Sequence, residues 1–337
     1  MSPEREPILV TRKLPNPVME RLRTGAEVDL YDRPGAMPRD DLLARVAGKR
    51  GAITLLTDRV DDEFLDAAGD QLLIVANFAV GFDNIDVSAC TSRGVLASNT
   101  PDVLTETTAD TAWALLMAAA RRIAEGDRFL RTGTPWIWAP EMMLGQDVHG
   151  KTLGIIGFGR IGHALARRAK GFGMTIIYFD VYRPSAQVEA ELGAEYRELD
   201  DLLAEADFIS LHTNLSPETH HLIDEERLRQ MKRTAVLVNT SRGPVIDEAA
   251  LARALRDGEI FAAGLDVFEN EPEVHPDLLA LDNAVVIPHL GSATVGTRLA
   301  MGMLAAANLF AALEGRTPPA LIDPAAWDGS RAARGSR

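Results

Sequence analysis

The chain has 337 residues, 46% of them hydrophobic and 25% charged, which is globular composition at a length that suits two domains better than one core. A formal net charge of −14 argues against nucleic acid or an anionic membrane as partner, because both would repel it, while a small anion stays admissible beside a local arginine. No apolar run approaches the roughly 20 residues of a membrane span. The opening "MSPEREPILVTRKLP" has no signal-peptide stretch, and the single cysteine, Cys90, allows no intramolecular disulfide; together these predict a cytoplasmic protein.

Along the chain, short β-branched runs alternate with amphipathic helical patterns, the signature of parallel α/β structure. In the first hundred residues "ILVT", "VDLY", "AITLLT", "LLIVANF" and "VLASN" predict strands, with helices such as "RDDLLARVAG" and "DDEFLDAAG" between them. After Thr100-Pro101, "TETTADTAWALLMAAARRIAEGDRFL" predicts one long helix. The irregular "RTGTPWIWAPEMMLGQDVHG" follows, with Trp136 and Trp138. A long loop carrying aromatics needs a surface to pack on, so residues 121–148 are expected to form a dimerisation arm, or else to pack on their own subunit. From Lys151 the alternation resumes through "KTLGIIGFG", "MTIIYFD", "FISLHT", "TAVLVNT", "AAGLDVF" and "AVVIPH". A final helix, "TRLAMGMLAAANLFAALEG", precedes a basic tail, "RAARGSR", expected to be disordered.

"GFGRIG" places Gly157, Gly159 and Gly162 after a predicted strand and at the opening of a helix, the context that a dinucleotide fingerprint requires. The first glycine permits the tight turn, the second close approach of backbone to a pyrophosphate, and the third close packing of helix on strand. The anion would meet unsatisfied N–H groups at the positive end of the helix. Asp180 ends the next strand, 18 residues after Gly162, where its carboxylate suits ribose hydroxyls. A 2′-phosphate there would face a repulsion of roughly 4 kcal/mol per pair of like charges at ~4 Å and an effective dielectric of about 20. NAD is therefore expected over NADP, with Arg183 in a position to offset part of the repulsion.

Three later strand ends carry chemistry: Arg242 in "LVNTSRGPVID", Glu271 in "DVFENEPEV" and His289 in "VVIPHLGSA". Each has a plainer reading: a surface arginine paired with Asp247, a solvated loop acid, and a buried histidine that satisfies a backbone group. In open parallel sheets, however, ligands bind outside the carboxyl ends of strands, so all three point to one edge. A cation, a carboxylate and an imidazole suit hydride transfer to a 2-keto acid. Arg242 would grip carboxylate and carbonyl in a charge-assisted fork. His289 would donate the proton, and Glu271 would orient His289 and raise its pKa from the ordinary value near 6.5.

The ordered stretches "VANFAVGFDNIDV", "NTPDVLTETTAD", "GKTLGIIGFGRIG", "NTSRGPVIDEAAL", "GLDVFENEP" and "PHLGSAT" resemble the D-isomer-specific 2-hydroxyacid dehydrogenases, most closely their glyoxylate/hydroxypyruvate reductase branch. The resemblance runs from about Ile8 to Pro324. It implies two doubly wound parallel-sheet domains, a Rossmann nucleotide domain and a smaller flavodoxin-like substrate domain, with an active-site cleft between them. The substrate domain would comprise 1–99 and 293–325, the nucleotide domain 100–292, and a disordered tail 326–337.

The family's catalytic residues fall on Arg242, Glu271 and His289. Its substrate contacts fall on Leu56, the backbone N–H groups of Val80 and Gly81, and Arg242. Trp138 would be lent to the neighbouring subunit of a homodimer. Leu56 as plain core and Trp138 as plain interface are the alternatives. Cofactor contacts would be Thr105, Gly157, Gly159, Arg160, Ile161, Gly162, Asp180, Thr213, Thr219, Thr240, Ser241, Asp266, His289 and Gly291, with Asp266 at the nicotinamide carboxamide. One departure is Asn214, where relatives often carry proline. His220-His221 lack metal-ligand spacing, and no metal is expected.

The implied activity is NADH-dependent reduction of glyoxylate or hydroxypyruvate to the 2-hydroxy acid. Reduction of another 2-keto acid, such as pyruvate or 2-ketogluconate, is the main alternative. Phosphite oxidation would be helped by a second cation in the carboxylate loop, where Val80 is neutral. A nucleotide-sensing co-repressor would need a recruitment segment, and none is evident.

Overall fold

The computed structural model describes residues 5–335, so the first four residues and the last two of the expected disordered tail lie outside it. The chain divides into two compact units, one running to Leu104 and resuming at Ala293, the other spanning Thr105–Ser292.

The first unit holds β1 (Glu6–Val10), β2 (Ala26–Leu30), β3 (Gly51–Thr54), β4 (Ile74–Asn77) and β5 (Leu96–Ser98). All are parallel, in the order β2-β1-β3-β4-β5, the flavodoxin-like arrangement that the sequence predicted. Leu9, Ala52, Val75 and Ala97 pack on one face with Leu42, Val46, Phe64 and Leu65 of the intervening helices. The other face receives the helix Val295–Leu313. This helix is apolar and long enough to suit a bilayer by composition, contrary to the expectation from the sequence. Half of it is buried inside the unit, and its buried Asn308 donates to the Asn99 carbonyl and accepts from Ala320 N–H. Cys90 is buried, and that burial pushes its thiol up to about 12, so it packs as a small apolar residue.

The second unit holds β6 (Thr152–Ile156), β7 (Thr175–Phe179), β8 (Ala194–Tyr196), β9 (Phe208–Leu211), β10 (Val236–Asn239), β11 (Ala262–Leu265) and β12 (Ala284–Val286). Its parallel order, β12-β11-β10-β9-β6-β7-β8, is the Rossmann arrangement, with the switch point between β6 and β9. Side chains alternate between two cores. Ile155, Tyr178, Phe208 and Val238 join the helices Thr105–Ala120 and Arg160–Lys170 on one face. Ile156, Ile177, Ile209 and Leu237 join Leu202, Leu251 and Leu255 on the other. Burial on both faces is why these strands read as continuous apolar runs.

Three expectations need correction. The long helix after Thr105 breaks at Arg122, whose φ of +54 is left-handed, and resumes as Ile123–Arg131. Its side chain pairs with Glu125 at 2.6 Å and fixes the bend. Strand β8 escaped notice because "AEY" is three residues long with a glutamate at its centre. Within 326–335 the chain is ordered: Pro324–Trp327 and Arg331–Gly335 are helical. Arg331 donates to the carbonyls of Gly69 and Leu72 at 3.0 and 3.3 Å, while its own N–H reaches Gly94 O at 2.8 Å. The composition of the tail hid these bonds, because their partners are over 230 residues away in sequence.

Removing the Arg331 side chain should leave two carbonyls without their charged donor. Arg331→Ala is therefore expected to lower the unfolding free energy by about 1–2 kcal/mol. Urea denaturation checks this, and an unchanged midpoint would show that the docked tail adds nothing to stability.

Candidate active site at the carboxyl edge of the second sheet

The glycine loop leaves β6 with Gly157 at φ +91, where a Cβ would lie 2.6 Å from the His212 carbonyl. Only glycine satisfies both the turn and that approach. Gly159 precedes the helix Arg160–Lys170, and a Cβ there would meet no heavy atom within 4 Å. The loop therefore presents bare backbone and the first N–H groups of a helix, the geometry that receives a pyrophosphate. Gly162 is buried against the Gly157 carbonyl, Ile161 is half-buried and Arg160 is exposed.

Asp180 follows β7. Its Oδ2 accepts the Phe158 N–H at 2.6 Å and its Oδ1 accepts the Tyr182 N–H at 2.9 Å. The carboxylate thus braces the glycine loop and keeps further lone pairs for ribose hydroxyls. Arg183 stacks over the Tyr196 ring at 3.6 Å, held by the strand that the sequence did not reveal.

At the ends of β9 and β10, Thr213 Oγ1 and Thr240 Oγ1 are buried without a hydrogen-bond partner. Buried hydroxyls normally find partners, so both suit a polar ligand at this edge. Together with the open Gly159 backbone they fit a dinucleotide. Other predicted contacts are engaged within the chain. Thr219 donates to Asn214 O at 2.7 Å and accepts from Ser216 N–H at 2.8 Å, which shapes its own loop. Ser241 Oγ donates to Asn239 at 2.8 Å.

Asn239 went unnoticed in the sequence. This buried amide accepts from Ser241 N–H at 3.0 Å and donates to the Arg242 carbonyl at 2.8 Å, so it fixes the backbone beneath the arginine. The only signal was a polar residue closing an apolar strand. Arg242 also donates from Nη1 to the Ser241 carbonyl at 2.8 Å.

Glu271 follows β11 and His289 follows β12, 18 residues apart in sequence, yet Glu271 Oε2 and His289 Nδ1 are 2.9 Å apart. Glu271 Oε1 accepts the Phe268 N–H at 3.1 Å. Burial alone would raise the Glu271 carboxyl. The His289 hydrogen bond and charge, the Phe268 N–H and the Arg242 guanidinium outweigh it and hold the group below the usual carboxylate range. His289 and Arg242 thus both act on Glu271, and the three residues follow the ends of adjacent strands at one edge. Glu271 stays ionised at neutral pH and takes the Nδ1 side of the ring, which leaves Nε2 for other chemistry.

His289 has a φ of +52, a conformation that costs a non-glycine residue about 1 kcal/mol or more. Asp266 holds it there. The Asp266 carbonyl accepts the His289 N–H at 2.8 Å, and its buried carboxylate accepts the N–H groups of Leu290 and Gly291, the latter at 2.8 Å. Burial pushes the Asp266 carboxyl up, against the pull of those amides and of His289. Asp266 therefore supports the histidine turn, a task the sequence reading did not assign. Thr105 opens its helix half-buried, and Gly291 is buried beside Thr108.

The remaining candidates lie elsewhere. Trp138 is 74% exposed on the irregular arm of the second unit. In the first unit Leu56 is half-buried in a turn after β3, which removes it from the plain core. Val80 and Gly81 follow β4, with their carbonyls tied back by Asn99 at 2.8 Å and Asn77 at 3.1 Å.

Residues 113–291 match the family model described as D-isomer specific 2-hydroxyacid dehydrogenase, NAD binding domain. The chain is 51% identical over 321 residues to a glyoxylate reductase of Thermococcus onnurineus, covering 94% of this chain and 95% of that protein. Among solved structures it resembles the TT0316 protein of Thermus thermophilus at 46% identity, with a TM-score of 0.87 over 94% of this chain and all of that one. It also resembles an NADPH-dependent glyoxylate/hydroxypyruvate reductase of Sinorhizobium meliloti at 34% identity, with a TM-score of 0.82 over 95% and 98% of the two chains. A dinucleotide loop, a histidine–carboxylate pair beside an arginine, and these likenesses over nearly the whole chain agree: the protein belongs to the D-isomer-specific 2-hydroxyacid dehydrogenases.

Proposed function

We propose that the protein reduces glyoxylate and hydroxypyruvate to glycolate and D-glycerate, with NADH as reductant. The observation that carries this reading is the 2.9 Å His289–Glu271 pair with Arg242 bearing on it. Arg242 grips the substrate carboxylate and polarises the carbonyl. His289 donates the proton from Nε2 to the carbonyl oxygen as the carbonyl carbon gains hydride, and Glu271 holds the ring and complements its charge. The nicotinamide, when bound, supplies the hydride. Gly157, Gly159 and Gly162 with the helix N-terminus would hold its pyrophosphate, Asp180 its adenosine ribose, and the Thr213 and Thr240 hydroxyls other polar groups. The chain's likeness to a glyoxylate reductase at 51% identity favours this substrate class.

In the first unit, the Val80 and Gly81 N–H groups are proposed to bind the substrate carboxylate, and Leu56 its apolar side. The Ala79 and Val80 carbonyls, held by the Thr100 N–H and the Asn99 amide at 2.8 Å each, support this, because they fix the peptide planes that carry the Val80 and Gly81 N–H groups. The enzyme is further proposed to be a cytoplasmic homodimer. Trp136, Ile137 and Trp138 are 52%, 89% and 74% exposed, an apolar run that a second copy would cover, with Trp138 reaching the neighbour's site.

The wild-type protein is expected to oxidise NADH when glyoxylate is added, and Arg242→Ala to lose about 10³-fold in kcat/KM with NADH affinity preserved. Absence of turnover on glyoxylate, hydroxypyruvate, pyruvate and 2-ketogluconate would overturn the enzyme reading, and loss of NADH binding in the variant would misplace the arginine. Asp180→Ala should narrow the preference for NADH over NADPH by about tenfold or more; an unchanged ratio of kcat/KM values would remove Asp180 from that role. Trp138→Ala should weaken dimers in sedimentation and raise KM for the 2-keto acid, whereas a monomeric wild type sinks the dimer proposal.

A further inference from the structure

Arg242 and Glu271 stand on different loops, after β10 and β11, and hydride transfer needs their charges in fixed register. A misplacement of about 1 Å at such a site costs on the order of 10²-fold in rate. Something must tie the two loops together, and a group of residues outside the catalytic trio does so.

The buried Glu248 opens the helix Glu248–Asp257, just beyond Arg242. Its carboxylate accepts the Glu269 N–H at 2.6 Å. In return, Glu269 Oε1 accepts the Glu248 N–H at 2.9 Å, one of the first helix donors that have no partner within the helix. The His275 backbone N–H bears on the same Glu248 carboxylate, so the loop from Glu269 to His275 is held at both ends.

His221 adds a third segment. Its Nε2 lies 3.0 Å from Glu269 Oε1, its N–H donates to Pro244 O at 2.7 Å, and Ile223 pairs with Ile246 in a parallel bridge. Its φ of +48 shows backbone held in a conformation that histidine rarely adopts.

This tie sits directly behind the chemistry. Gly243, next to Arg242, is pressed so close to the other loop that a Cβ would lie 1.8 Å from the Phe268 carbonyl carbon. The Phe268 N–H in turn donates to Glu271 Oε1, and Glu271 Oε2 meets His289. Any separation of the two loops at Glu248 and Glu269 is therefore passed to both the arginine and the glutamate.

We propose that Glu248 and Glu269, locked reciprocally and seconded by His221, are positioning residues that set Arg242 against the Glu271–His289 pair. Asp247 already caps this helix through the Ala250 N–H, so the helix end does not by itself call for a second carboxylate beside Glu248, whose own charge burial and the neighbouring Glu269 oppose. An acceptor on each loop, answering a backbone donor on the other, fixes distance and register together. The proposal rests on the reductase reading.

The test compares Glu269→Ala, Glu269→Gln, Glu248→Ala and the double alanine variant. For each, kcat and KM for glyoxylate, NADH affinity by fluorescence, and affinity of the NADH complex for oxalate are measured. Glu269→Ala and Glu248→Ala are expected to lose about 10–100-fold in kcat/KM, mostly in kcat, with NADH affinity within about twofold of wild type. Glu269→Gln keeps a carbonyl acceptor for the Glu248 N–H and should recover most of the loss. The double variant should be little worse than either single one, because each breaks the same lock. Wild-type kinetics in Glu269→Ala, or additive losses in the double variant, would overturn the proposal. If an alanine variant fails to fold, Glu269→Gln and His221→Asn decide, with expected losses of about threefold to tenfold and unchanged NADH affinity; wild-type kinetics in both refute the tie. If wild type turns over no 2-keto acid, the reductase reading fails by itself. Oxalate affinity then judges the lock, and equal affinity in wild type and Glu269→Ala, or none in either, refutes it.

Discussion

Every strand pair in both sheets is parallel, and the rest of the molecule follows from that. Parallel neighbours need crossovers, crossovers place helices on the sheet faces, and all carboxyl ends then share one edge. In the second unit that edge collects the glycine loop after β6, Asp180 after β7, Thr213 after β9, Arg242 after β10, Glu271 after β11 and His289 after β12. Arg242, Glu271 and His289, up to 47 positions apart in sequence, come to one edge from the ends of three adjacent strands. An apolar, two-faced core keeps the strands in place, so the polar chemistry at the edge rests on packed elements.

The polar groups at that edge are held from behind by acceptors that face backbone donors. Asp180 holds the N–H of Phe158, Asn239 that of Ser241, Asp266 those of Leu290 and Gly291, and Glu271 that of Phe268. A carboxylate taken out of water loses hydration, and charge-assisted bonds to N–H groups restore much of it. The outcome differs with the neighbours. His289, aided by Arg242, keeps Glu271 low, whereas burial pushes Asp266 up, with a smaller push from the Glu271 charge. Two acids at one edge thus take different tasks: one faces the imidazole, the other fixes the strained turn that presents it.

Much of this was legible in the sequence because it rests on local pattern. The strands of both sheets, β8 excepted, show as short apolar runs, and the glycine loop shows through its place between strand and helix. The predicted strands overran their carboxyl ends, as where "AITLLT" reaches beyond Thr54, since apolar residues continue into the loops that line the edge. The break at Arg122 left no mark, because a left-handed arginine needs neither glycine nor proline. Asp266 was assigned to the cofactor alone, and Asn239 and the Glu248–Glu269 lock were missed, because their partners are backbone groups and a sequence does not display where an N–H points. Trp138 stood out by residue type, and its exposure is a fact of the fold.

The sequence by itself determined the alternation of elements, the two-sheet fold class, the dinucleotide loop and the identities of the charged trio. The alternation and the loop follow from side-chain periodicity and from glycine's conformational range, which act over a few residues; the trio stands out by its place at strand ends, and the two-sheet class is what the resemblance of the ordered motifs implies. Only the tertiary structure decided that Glu271 and His289 touch, that Asp180 braces Phe158, that the apolar helix Val295–Leu313 lies in a protein core, and that the basic tail docks through Arg331. Those outcomes depend on which backbone groups parallel packing leaves unpaired at each strand end, and distance along the chain carries no record of that.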